Sequence, residues 1–221
     1  MKTNYDADEA RIEVAEAARQ LAWNQLVLGT AGNVSTKVGD LIAVTATGIT
    51  LAKAKPEDVT LVDLDGRPHS GDLRPTSELQ LHLGVYRTTT AHSVVHTHAP
   101  AAVSLSLIAT ELPPIHYQQL ALGGSVPILP FAAFGTEELA EMTSSALREK
   151  NAAILSNHGT VTVGPSLKSA VENTMLLEWL CKVYLDAAAV DNPRALTHSQ
   201  LNQVAQIAAR IGYGTTHPIT S

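Results

Sequence analysis

The chain has 221 residues, of which 45% are hydrophobic and 16% charged. That composition excludes intrinsic disorder, and a chain of this size buries roughly 70% of its unfolded surface. Fifteen basic against 21 acidic side chains leave a net charge of −6, which speaks against nucleic acid or an anionic membrane as the main partner but not against a local anion site.

With aromatic residues at only 4%, the core has to be built from Ala, Val, Leu and Ile. Cys181 is the single cysteine, so no intrachain disulfide can form and a reducing compartment is expected. Residues 1–9 are polar and acidic, unlike a signal peptide. No stretch approaches the ~18 uninterrupted apolar residues of a membrane span, and a cytoplasmic protein is expected.

In chain order, Ile12, Ala15, Ala18, Leu21, Ala22 and Leu26 recur at helical spacing and predict an amphipathic helix over 6–28. A small-residue loop at 29–33 breaks it. Strands at 34–37 and 41–45 flank Val38-Gly39-Asp40 as a tight hairpin, and a second strand pair brackets Asp65-Gly66. Leu79, Leu83 and Tyr86 share the face of a helix predicted over 77–87 with Thr76 as its cap. A β-branched strand follows at 93–98. Helices at 99–109 and 137–150 enclose a Pro- and Gly-rich stretch with a short strand at 126–129. Strands at 152–156 and 160–163 form a hairpin around Asn157-His158-Gly159. The tail is helical over 167–190 and again after Thr197, where Thr197 and Gln200 suit a capping box. No repeat or linker divides the chain, so one domain over 1–221 is expected. Hairpins interleaved with helices imply a mixed, mostly antiparallel sheet covered on both faces.

His96 and His98 lie two apart on a predicted strand, so their imidazoles share one face at a distance that suits chelation of one ion. Two histidines on a strand face are also common as hydrogen-bonded structural residues. His158, at the tip of a predicted hairpin, supplies a third imidazole, and three His ligands with an open fourth position are the set of a catalytic rather than a structural zinc. Glu78, at the predicted start of a helix, either complements the helix dipole or stands beside the metal as a proton carrier. Thr76 and Ser77 add hydroxyls suited to an anion. The loop at 29–33 is neither a dinucleotide fingerprint nor a Walker loop; with the turn Thr45-Ala46-Thr47-Gly48 it suits a phosphate cradle.

Taken in order, residues 29–35 (GTAGNVS), 45–48 (TATG), 76–78 (TSE), 95–99 (VHTHA), 115–117 (IHY), 134–136 (FGT) and 157–159 (NHG) make the chain resemble the class II aldolases, the zinc-dependent sugar-phosphate aldolases and their epimerase relatives. Thr76 stands where the family usually has Ser, Ala46 where Pro is common and Asn157 where His is frequent. The resemblance implies a three-layer α/β/α sandwich and Zn2+ held by His96, His98 and His158, with Glu78 as fourth ligand and acid/base. It further implies that the Gly32 backbone, Asn33, Thr47, Gly48, Thr76 and Ser77 hold a substrate phosphate. Tyr117 would donate a proton in an adjacent subunit's site and Tyr213 would lie near the aldehyde end, within a homotetramer whose sites sit at subunit interfaces. The implied reaction cleaves a ketose 1-phosphate such as L-fuculose 1-phosphate to dihydroxyacetone phosphate and an aldehyde. Related 4-epimerases, dehydratases and decarboxylases use the same scaffold; the epimerases carry Asp at the position of Glu78. A noncatalytic module like the adducin head lacks the metal histidines that this chain retains.

Overall fold

The computed structural model describes residues 2–214, with side chains from residue 6 onward. Helix α1 (Lys2–Trp23) leads into the hairpin β1 (Asn33–Val38) and β2 (Leu41–Thr45), followed by β3 (Val59–Val62) and β4 (Pro68–Ser70). Helix α2 (Leu79–Thr88), β5 (Ser93–Thr97) and α3 (Pro100–Ser106) come next, then β6 (Glu111–Leu112) and β7 (Val126–Leu129). The remainder is α4 (Glu137–Ala146), β8 (Ala152–Leu155), β9 (Gly159–Gly164), α5 (Leu167–Ala188) and α6 (His198–Ile211).

The strands form one nine-stranded sheet in the order β4-β3-β2-β1-β5-β9-β8-β7-β6. Every neighbouring pair is antiparallel except β7 and β8. Short hairpins suffice for the antiparallel pairs, whereas a parallel pair needs a crossover, and α4 lies in the segment that joins β7 to β8.

Alternation along the strands divides the apolar residues between two cores. Val34, Ala43, Val95, Ala152 and Ile154 face one side with Val14, Ala18 and Leu21 of α1 and Leu177 and Leu180 of α5. Ile42, Val44, Val94, Ala153, Val161 and Val163 face the other with Leu81, Val85 and Tyr86 of α2 and Leu139 of α4. This is the expected sandwich of a mixed, mostly antiparallel sheet between helical layers. Cys181 is buried in the first core, where desolvation pushes its thiol pKa up and keeps it protonated. Among the described residues no helix is long and apolar enough to cross a membrane.

Several boundaries differ from the sequence reading. Helix α1 stops at Trp23, five residues short, because Gln25 adopts a left-handed conformation (φ 60) and the amides of Gln25 and Leu26 bond back to Ala22 and Leu21, a Schellman ending with Gln in place of the usual Gly. Leu26 keeps its apolar contact but outside the helix. Helix α2 begins at Leu79 with Glu78, not Thr76, as its N-cap. The preceding segment is drawn alongside β2, where Thr76 N–H donates to the Thr45 carbonyl at 3.0 Å and Thr47 N–H to that of Arg74 at 3.0 Å. Helices α3 and α4 end at Ser106 and Ala146, before their predicted limits, and the Pro- and Gly-rich stretch adds β6 and a 3-10 helix over Tyr117–Leu122. Both hairpins, and α6 with its Thr197–Gln200 capping box, form as expected.

Candidate active site

Register places the metal-binding candidates together. Asn33 lies opposite His96 across the β1–β5 ladder, so both side chains leave the same face of the sheet. His98 follows immediately after β5, and His158 sits in the β8–β9 turn, next to the left-handed Asn157 (φ 58). Two glycines permit this convergence. A Cβ on Gly159 would lie 2.0 Å from the Thr97 carbonyl oxygen, and one on Gly32 (φ +86) would lie 2.7 Å from Val27 Cγ1 and 3.0 Å from the His96 carbonyl. Any side chain at either position would push apart the strand bearing His96 and the turn bearing His158.

Glu78, His96, His98 and His158 each offer a ligand atom, all within 4.8 Å of one another. His96 Nε2 is 3.1 Å from Glu78 Oε2 and 3.2 Å from His98 Nε2, and His158 Nε2 is 3.5 Å from Glu78 Oε1. The Thr160 carbonyl lies 2.9 Å from His96 Nδ1 and accepts a hydrogen bond from Nδ1–H, which leaves Nε2 to present its lone pair to the cluster. Glu78 Oε1 is buried without a hydrogen-bond partner. Lone pairs that face one another around an orphaned carboxylate oxygen fit a divalent cation.

Burial pushes the pKa of His98 and His158 down to about 4, and the neighbouring His96 pushes in the same direction against the opposing pull of Glu78. Both rings are therefore neutral at pH 7, as metal ligands must be. Burial alone would raise the Glu78 pKa, but the neighbouring His96, the Asn33 hydrogen bond and His158 together hold it well below the usual carboxylate range. His82, fully buried, is lowered to about 3 for the same reasons as His98. Three histidines with depressed pKa values mean that the unfolded chain takes up protons near pH 6.5 that the native chain refuses. The metal-free protein is thus expected to keep its full Tm above pH 6.5 and to lose stability as the pH falls toward 4. The His82 contribution alone is on the order of 1 kcal/mol per pH unit. Calorimetry between pH 4 and 8 checks this; a Tm that held or rose on acidification to pH 5 would contradict it.

Glu78, His98 and His158 open onto a cleft of ≈ 580 Å³ whose walls include Gly32, Asn33, Thr47, Gly48, Thr76 and Ser77. All six residues expected to hold phosphate thus share one cavity with Glu78, His98 and His158. The strand-like pairing of 45–47 with 74–76 sets the two hydroxyl-bearing turns side by side. Thr76 Oγ1 accepts the Glu78 N–H at 3.2 Å, whereas Ser77 is exposed. The sequence reading missed the apolar part of this wall, Leu28, Phe131 and Phe134, all three exposed and without a periodic pattern.

Tyr117 and Tyr213 do not line this cleft. They meet each other instead, with hydroxyls 3.2 Å apart, in a separate apolar groove between the 3-10 helix Tyr117–Leu122 and α6. The reading also missed a buried file behind Glu78, made of Ser35, His82 and Tyr86. Its signal lies in two periods: Glu78, His82 and Tyr86 fall four apart on and just before α2, and Asn33 and Ser35 two apart on β1.

Relatives carry the same arrangement of elements. A solved L-fuculose 1-phosphate aldolase superposes with a TM-score of 0.86 at 27% identity, covering 91% of this chain and 96% of that one. The L-fuculose phosphate aldolase of Escherichia coli (strain K12) is 36% identical over 75% of this chain and 77% of its own length. The 5-deoxy-D-ribulose 1-phosphate aldolase of Bacillus thuringiensis serovar kurstaki is 29% identical over 89% and 93%. The family model for the class II aldolase and adducin N-terminal domain matches residues 12–185. That match runs through every strand of the sheet, and it places the chain in the class II aldolase and adducin N-terminal domain family, among its aldehyde-lyases.

Proposed function

We propose that this protein is a zinc-dependent lyase that cleaves L-fuculose 1-phosphate to dihydroxyacetone phosphate and L-lactaldehyde. One observation carries the reading: a carboxylate in contact with two of three clustered histidines faces the same cleft as six small or hydroxyl-bearing residues suited to a phosphate. His96, His98 and His158 would hold the metal. When bound, zinc supplies a positive charge that polarises a carbonyl and stabilises the negative charge left when the adjacent C–C bond breaks.

The residues of the chain do the rest. The Gly32 amide, Asn33, Thr47, Gly48, Thr76 and Ser77 anchor the phosphate and so fix the scissile bond beside Glu78. Retro-aldol cleavage removes the proton of the hydroxyl on the aldehyde side and adds one to the carbon of the three-carbon fragment. Glu78 delivers that second proton. Tyr117 and Tyr213 lie outside the cleft of their own chain; in the proposed cytoplasmic homotetramer Tyr117 would reach a neighbouring copy's site as proton donor and Tyr213 would lie near the aldehyde end.

Ser77→Ala is expected to weaken binding of the phosphorylated substrate by roughly 1.5–3 kcal/mol, the worth of a hydrogen bond to a charged group, while a dephospho analogue is little affected. Equal losses on both, measured as KM, would argue against a phosphate role.

The Bacillus relative favours a second substrate, 5-deoxyribulose 1-phosphate. Comparison of kcat/KM for the two sugars, with identification of the aldehyde released, separates them. A higher value with L-lactaldehyde as product supports the first reading. A preference for the deoxypentulose transfers the same mechanism to the shorter substrate, and epimerised sugar without dihydroxyacetone phosphate overturns both.

A further inference from the structure

From Glu78 a file of polar side chains runs into the interior, and no step of the proposed reaction uses its inner members. Asn33 and Tyr86 are 4% exposed, Ser35 and His82 not at all. The direction of every bond in it can be assigned. A carboxylate only accepts, so the 3.0 Å contact between Asn33 and Glu78 Oε2 comes from Asn33 Nδ2–H. This turns Asn33 Oδ1 toward His82 Nε2. An amide oxygen also only accepts, so His82 carries its proton on Nε2. The buried ring is neutral, which leaves Nδ1 bare to accept from Ser35 Oγ–H at 2.7 Å. The Ser35 oxygen accepts in turn from the Tyr86 hydroxyl at 2.7 Å.

Such a file removes an ambiguity that packing alone leaves open. The two ends of an asparagine amide are nearly the same in shape, and the terminal torsion of a carboxylate is broad. If the amide were reversed, its oxygen would face the Glu78 carboxylate and repel it. We propose that His82 is a positioning residue for Glu78: its Nε2–H fixes the flip of the Asn33 amide, and that amide holds Oε2 of the carboxylate so that Oε1 is left free beside His158. This rests on the reading of Glu78 as the proton carrier. The file joins two rigid elements, α2 and β1, which is where precise placement is best supported.

The first measurement uses the native zinc-loaded protein labelled with 15N at histidine and needs no substrate. His82 is expected as the neutral tautomer protonated on Nε2, with a bare Nδ1, throughout pH 6–8. An Nδ1–H tautomer or an imidazolium overturns the assignment, and either result is independent of whether the protein cleaves any ketose phosphate. The second measurement compares variants. His82→Leu fills space without a donor and is expected to lower kcat on the order of 10²-fold, the scale of a misplaced reacting group, with zinc still bound. His82→Gln returns an N–H near the Nε2 position and is expected to restore most of that loss. A merely structural histidine would lower Tm in both variants and leave kcat native below the unfolding range, and that result contradicts the proposal. If His82→Leu does not fold, His82→Asn, which reaches only the Nδ1 position, takes its place, and activity equal to that of His82→Gln then overturns it.

Discussion

Glu78→Gln is expected to leave a folded, zinc-loaded protein that binds phosphorylated substrate nearly as well as the native chain yet turns over ~10²–10⁴-fold more slowly, the usual worth of a general acid or base. The substitution keeps the size of the side chain and an oxygen able to accept from Asn33, and it removes the charge and the proton. Glu78 is also the N-cap residue of α2, but its side chain makes no capping bond; both oxygens face histidines or Asn33 instead. A role limited to the helix dipole would cost about 0.3–1 kcal/mol of stability and leave turnover intact. The two roles separate in one further assay, the exchange with solvent of the substrate-derived proton on dihydroxyacetone phosphate, which needs the metal, the phosphate site and the base but no aldehyde. Exchange is expected to slow in parallel with turnover. Native-rate exchange in Glu78→Gln would remove Glu78 from the mechanism.

Replacement of His96, His98 or His158 by Ala is expected to cost most of the bound metal in each case, and with it activity, because in the proposed site each would supply one of three clustered imidazoles to one ion. The effects on the metal-free fold should differ. His96 is fully buried and its ring bonds the Thr160 carbonyl, so His96→Ala strands a buried acceptor at a cost of about 1–3 kcal/mol. The His158 side chain is 12% exposed, and its loss is expected to be milder. Chelation of the native protein should abolish turnover while the sheet stays folded, since two extensive apolar cores, one on each face of the sheet, hold it together. Metal analysis and calorimetry on the three variants check both points; stoichiometric zinc at native affinity in His158→Ala would mean that the third ligand is another residue.

Much of this site is legible in the sequence. The period of two puts His96 and His98 on one strand face, and the hairpin around Asn157-His158-Gly159 puts a third imidazole at a sheet end. Their meeting was not legible, because it depends on β9 pairing with β5 and on the contact of Gly159 with the Thr97 carbonyl, neither of which leaves a local trace. The same holds for the start of α2. Thr76 has the residue type of a cap, but a non-local bridge beside β2 holds it out of the helix and leaves it lining the cleft. The parallel β7–β8 pair was hidden behind short apolar runs that do not reveal strand direction. His82 was readable only as an apolar-face histidine on a helix; its partners Asn33 and Ser35 belong to a strand more than forty residues earlier.

The most direct test of the account is the release of dihydroxyacetone phosphate from L-fuculose 1-phosphate, followed by a coupled reductase, in protein that is zinc-loaded, chelated and then reloaded. The account predicts release with the zinc-loaded protein, none after chelation and recovery on reloading, with one zinc per chain. Full activity in the chelated protein, or turnover of the sugar phosphate without dihydroxyacetone phosphate, would contradict it.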